Sequence, residues 1–182
     1  MSFTNTNLFK LIFIGRPVPE KGLNELLMAL ALLPEYNWTL TVVGQVSKLN
    51  VGNALTDSLP AKQLFYVGAV DNSLVCGLLN EHDIVIIPSH YENFGNIALE
   101  AMACGKAIIA SRTGGLKEII KDNYNGIQCS PKDYVDLSLK LKLIFDRPEL
   151  IAFLGNNALN EVQLYSWPTI LKMTTTLFKS LE

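Results

Sequence analysis

Short apolar runs rich in Val, Ile and Phe alternate with helix-forming stretches along almost the whole chain, and most of the runs end at Gly or Pro. Leu8 to Ile14 is stopped by Gly15, Trp38 to Val43 by Gly44, Leu64 to Val67 by Gly68 and Ile84 to Ile87 by Pro88. Ala107 to Ala110 and Gly126 to Cys129 complete six such runs. Between them lie helical patterns. The clearest is Glu20 to Leu33, with Leu23, Leu26, Leu27, Leu30 and Leu33 on one face and Pro34 closing it. Further helices are expected over Asn72 to Leu79, Asn96 to Cys104, Tyr134 to Phe145, Leu150 to Leu164 and Pro168 to Leu181. Val46 to Leu59 is more polar and predicts a weak helix or an irregular connection. A strand–helix alternation of this kind leaves the strands parallel, joined by right-handed crossovers. The expected fold class is α/β: one three-layer α/β/α domain over residues 1–182, a mostly parallel six-stranded sheet, and terminal helices from about residue 150.

In such a sheet, ligands bind beyond the carboxyl ends of the strands. One segment there carries the chemistry. After the strand Asp83-Ile84-Val85-Ile86-Ile87-Pro88 comes Ser89-His90-Tyr91-Glu92-Asn93-Phe94-Gly95, and then a helix from Asn96 that carries Glu100. Backbone N–H groups around Gly95, Asn96 and Ile97 stand at a helix start, which favours an anion such as phosphate. A carboxylate would repel that phosphate, so Glu92 and Glu100 are better suited to accept hydrogen bonds from hydroxyl groups of ribose or a sugar ring. Phosphate, ribose and sugar together describe a nucleotide sugar.

Glu92-x7-Glu100 resembles the signature of the retaining, nucleotide-sugar-dependent glycosyltransferases of group 1 (family 4, GT-B fold). The likeness continues through Glu100-Ala101-Met102-Ala103-Cys104-Gly105-Lys106 and Gly114-Gly115-Leu116-Lys117-Glu118, and upstream through Gly15-Arg16 and Lys21-Gly22. Four motifs in the family's order cover most of the chain, a far more specific signal than any one of them. The resemblance implies a Rossmann-like domain, the C-terminal, donor-binding half of a GT-B protein. In that family a second Rossmann-like domain binds the acceptor across a cleft. No motif of that half is present, so it is expected elsewhere, in the same or a separate chain.

The resemblance also implies roles. Arg16 and Lys21, after Gly15, would contact the diphosphate and stabilise it as it leaves. Glu92 would address the donor sugar near its anomeric carbon, and Glu100 the ribose. The backbone of Gly68 and Val70 would edge the base, which hides the base's identity. Asn93, Phe94, Gly95, Asn96 and Ile97 form the donor loop and helix start. Asn93 stands where the family commonly has glycine, a mild departure because Asn tolerates a left-handed backbone. Glu118 is expected to support rather than catalyse, and Ser89 and His90 are loop residues near the donor. The implied donor is a UDP-, GDP- or ADP-sugar, with no cofactor and no metal. Consistent with that, the chain has no Asp-x-Asp, and His82 and His90 lack metal-ligand spacing.

Composition narrows the alternatives. A formal net charge of −2 gives no basic face for nucleic acid. No run of about 18 apolar residues is present, so no transmembrane segment is expected. Met1 to Asn7 lacks the basic-then-apolar layout of a signal peptide. With three dispersed cysteines, Cys76, Cys104 and Cys129, read as small core fillers, the expected compartment is the cytoplasm, with peripheral association at the inner membrane through the other half as the further option. Expected pathways are glycan, lipopolysaccharide, capsule or glycolipid biosynthesis. The rival readings are a stand-alone nucleotide-sugar-binding subunit that needs a partner chain, and a sugar-nucleotide epimerase or phosphorylase of the same architecture. A receiver-like signalling domain would need an acidic pair where this chain has Gly15-Arg16.

Overall fold

The computed structural model describes residues 7–16, 18–45, 59 and 63–180. Six strands form one sheet: β1 (Phe9–Ile14), β2 (Trp38–Val43), β3 (Leu64–Gly68), β4 (Ile84–Ile87), β5 (Ala107–Ser111) and β6 (Ile127–Cys129). Their order is β3-β2-β1-β4-β5-β6, and every pairing is parallel. This is the doubly wound Rossmann order, with its reversal between β1 and β4. The sheet is thus wholly rather than mostly parallel. The connection expected over Val46 to Leu59 lies outside the described residues except for Leu59, which is buried.

Helices cover both faces. On one, α1 (Leu23–Ala31) and α5 (Tyr134–Asp146) pack Leu26, Leu30, Leu141 and Phe145 against Leu11, Trp38 and Leu40. The Phe9 and Phe145 rings stack at 4.4 Å, and the Trp38 indole N–H donates to the Leu33 carbonyl at 3.3 Å. All five leucines predicted to face inward from the first helix are buried. Each buried side chain of this size stabilises the fold by about 1.5–3 kcal/mol. On the other face, α2 (Asn72–Asn80), α3 (Asn96–Ala103) and the single turn α4 (Leu116–Ile119) bring Val75, Leu79, Met102 and Leu116 onto Ile12, Val85 and Ile108. Helix α6 (Glu149–Glu161) adds Leu154 to the first cluster and Ala158 to the second. The last helix, α7 (Trp167–Lys179), buries no side chain completely. Among the described residues no helix is long and apolar enough to cross a membrane.

The first helix differs from its sequence pattern in an instructive way. A 3₁₀ turn over Pro19–Lys21 comes first, and α1 starts only after Gly22, whose φ is 73°. A Cβ at Gly22 would fall 2.0 Å from the Pro88 carbonyl oxygen. The break therefore lets the β1–α1 connection lie directly on the end of β4, which a continuous helix from Glu20 would prevent. Gly22→Ala combines a left-handed backbone with a main-chain collision, and we expect it to lower stability by about 1–3 kcal/mol. Chemical denaturation against wild type would check this, and an unchanged midpoint would refute it.

The cysteines depart from expectation. Cys129 is buried as a core filler should be, but Cys76 is exposed and Cys104 half-buried. Cys76 lies on the solvent side of α2, and Cys104 caps the end of α3 rather than continuing it.

Candidate functional site

Three connections meet above the reversal between β1 and β4, and they are stapled to one another. The β1–α1 connection turns tightly, Val18 N–H donating to the Arg16 carbonyl and Lys21 N–H to the Val18 carbonyl. This brings the Lys21 ammonium to 2.5 Å from Glu92 Oε2 in the β4–α3 loop. Both side chains are mostly buried, at 24% and 17% exposed. The backbone supports the same junction: His90 N–H donates to the Glu20 carbonyl at 2.7 Å, and the His90 ring lies 2.8 Å from Glu25 on α1. The β5–α4 loop closes the other side, where Gly115 N–H donates to the Glu92 carbonyl and the Thr113 hydroxyl to the His90 carbonyl. The β4–α3 loop is thus held from two neighbouring connections.

Helix α3 begins at the end of this loop. Its N-cap is Gly95, with φ 91° and no capping side chain; the Ala98 N–H donates to the Gly95 carbonyl, and no side chain caps the N–H groups of Asn96 and Ile97 before it. The left-handed residue is therefore Gly95; Asn93 does not adopt a left-handed backbone, so the tolerance invoked for it is not used. Asn93 and Phe94 are exposed on the loop, Asn96 is exposed at the helix start and Ile97 is half-buried. One turn further along, Glu100 is half-buried, and burial raises its carboxyl pKa above the ordinary value. A hydroxyl donated to Glu100 would offset part of that desolvation.

A cavity of about 620 Å³ opens beside this junction, at the carboxyl ends of β1, β2 and β3. Gly15, Arg16 and Val70 line it, together with Gln45, Ala69 and Asn72. Its floor is backbone: Gly15 N–H bonds to the Val43 carbonyl, and Gly44 N–H to the Gly68 carbonyl at 2.8 Å. The structure therefore brings the expected residues together in two adjoining groups. Gly15, Arg16 and Val70 belong to the cavity, with Gly68 beneath it; Lys21, Glu92 and the loop from Asn93 to Ile97 belong to the stapled junction. Glu100 follows on α3. Ser89 is buried, His90 is engaged with Glu25, and Glu118 is exposed beside Lys117.

Several participants carried no sequence signal. Glu25 meets the β4–α3 loop across 65 positions, and Gln45 and Asn72 stand in no motif. Their place after a strand end or at a helix start was the only available hint. Among the described residues no group of three or more His, Cys, Asp or Glu is arranged to hold a metal ion.

Residues 2–161 match the family model described as "Glycosyl transferases group 1". An uncharacterized glycosyltransferase of Methanocaldococcus jannaschii is 33% identical over 172 residues, covering 93% of this chain and 44% of that protein. Sucrose-phosphate synthase from Thermosynechococcus elongatus superposes with a TM-score of 0.83 at 27% identity, over 95% of this chain and 45% of that one. Anabaena HepE in complex with UDP-glucose superposes with a TM-score of 0.80 over 97% of this chain and 50% of that one; at 24% identity this likeness is one of fold. The chain spans under half the length of the first curated relatives it matches, 44% of the M. jannaschii protein and 34% of a glycogen synthase of Mycobacterium tuberculosis.

Proposed function

The chain belongs to the group 1 glycosyltransferases, and from that premise we propose that it is the donor-binding half of a retaining transferase. The observation that carries this reading is the Lys21–Glu92 pair across the sheet's reversal, with Arg16 in the adjoining cavity. A nucleoside diphosphate sugar fits that arrangement in one direction. The base enters the cavity above β1–β3, and its ribose hydroxyls donate to Glu100. The diphosphate lies between Arg16, Lys21 and the start of α3, and the hexose lies on the Glu92 side. UDP-glucose, the molecule bound to HepE, is the first donor to try.

In the reaction, the bond from the anomeric carbon to the β-phosphate oxygen breaks as the acceptor hydroxyl attacks from the same face. The hydroxyl proton passes to the departing phosphate. Negative charge grows on the diphosphate, where two cations and a helix start hold it; positive charge grows on the sugar, where Glu92 supports it. This chemistry assigns the protein's cations the role a divalent metal plays elsewhere. The acceptor, a glycan or glycolipid hydroxyl, is held by a second domain in the same or another chain. The setting we assign is the cytoplasm.

Calorimetry with UDP and UDP-glucose in the presence of a chelator tests the donor reading. We expect saturable binding that added Mg²⁺ or Mn²⁺ does not improve; binding that needs the metal overturns it. We further expect negligible sugar transfer by the 182-residue chain alone, because this reading assigns acceptor alignment to another domain. Robust transfer by the purified chain, as opposed to slow donor hydrolysis, would contradict the assignment of the acceptor to another domain.

A further inference from the structure

The Cys76 and Cys104 sulfurs lie 3.4 Å apart although the residues are 28 positions apart in sequence. One is exposed on α2 and the other half-buried at the end of α3. We propose that Cys76 and Cys104 form a reversible disulfide, in exchange with a small-molecule disulfide, that ties α2 to α3. Closure from 3.4 Å to the bond length of about 2.05 Å asks for a modest approach of two side chains at helix surfaces.

Their surroundings assign an order to the two thiols. The Asn80 amide donates toward Cys76 Sγ at 3.6 Å, and the Lys106 ammonium, bound to the Asn80 carbonyl at 3.2 Å, adds positive charge beside the pair. Burial, and then the contact with Cys76, push the Cys104 thiol up to about 11. Cys76, exposed to solvent, is therefore the entering nucleophile and Cys104 the resolving thiol. The Cys76 thiolate attacks one sulfur of a small disulfide such as oxidised glutathione, whose S–S bond breaks and releases one thiolate. Cys104 gives up its proton and attacks the Cys76 sulfur, releasing the second. Two electrons pass from the cysteine sulfurs to the small disulfide, and the two protons end on the released thiols.

The bond would have a reach beyond the surface. Asn72 and Val75 of α2 line the cavity, and α3 carries Glu100, so the link fixes the spacing of two helices around one crevice. Cys129, buried and in contact with the Ser111 hydroxyl, has no part in it.

The test is to treat the reduced, folded chain with oxidised glutathione, alkylate, denature, digest and map by mass spectrometry. We expect one link, Cys76 to Cys104, in a chain lighter by two hydrogen atoms, with three free thiols restored by dithiothreitol. Cys129→Ser should keep the link. No link in wild type, Cys76 left as a stable glutathione adduct beside an alkylated Cys104, or a link through Cys129 would each overturn the proposal. Because the decisive readout is on the wild-type chain, it does not depend on any variant folding.

Discussion

Replacing both Arg16 and Lys21 with alanine is expected to remove nearly all affinity for a nucleoside diphosphate. Each supplies a charge-assisted hydrogen bond worth about 1.5–3 kcal/mol, so losing two costs roughly 3–6 kcal/mol, or two to four decades in Kd. The single variants should differ in an informative way. Arg16 lines the open cavity, and Arg16→Ala removes an attraction and little else. Lys21 is bound to Glu92, which is only 17% exposed, so Lys21→Ala also strips a mostly buried carboxylate of its partner. That carboxylate would then repel the incoming diphosphate. Lys21→Ala should therefore lose more affinity than Arg16→Ala, and adding Glu92→Gln to it should restore part of the loss. Calorimetric titration with UDP under low salt reads all four proteins. Unchanged affinity in both single variants would mean that the phosphate lies elsewhere. Equal losses with no recovery in the double variant would mean that the Lys21–Glu92 pair does not govern binding.

The sheet was legible because its strands are short β-branched runs ended by residues that stop strands. Trp38 to Val43 and Ile84 to Ile87 fall where the pattern puts them. The stop at Gly22 was not legible as such: Leu23 to Leu33 keeps helical spacing, and only the contact with Pro88 explains why the helix cannot start at Glu20. At the site, the motif residues were visible because their spacing is local: Glu92 and Glu100 stand on one loop and the helix that follows it. The contacts that fix them are not local. Lys21 meets Glu92 across 71 positions, and His90 meets Glu25 across 65, so no window of sequence contains either pair. The approach of Cys76 to Cys104 is hidden in the same way, and the exposure of Cys76 cannot be read from a residue type that is usually buried.

The two glutamates should separate by ligand. Glu100 is half-buried one turn into α3, with its carboxyl pKa raised by burial, and is assigned to ribose. Because ribose is common to UDP and to UDP-glucose, Glu100→Gln should weaken both to a similar degree. The loss of one charge-assisted hydrogen bond is expected to cost about 1.5–3 kcal/mol, one to two decades in Kd. Glu92 lies before the helix, already engaged with Lys21. Glu92→Gln leaves the ribose contact intact and removes the carboxylate that competes with phosphate for the Lys21 ammonium. UDP should then bind as well as to wild type or more tightly, whereas UDP-glucose should lose the contribution of its hexose. The ratio of the two dissociation constants is the measurement, and it is insensitive to a uniform loss of folded protein. A Glu92→Gln variant that weakens UDP as much as UDP-glucose, or a Glu100→Gln variant that spares UDP, would reverse the assigned roles while leaving the fold and the family untouched.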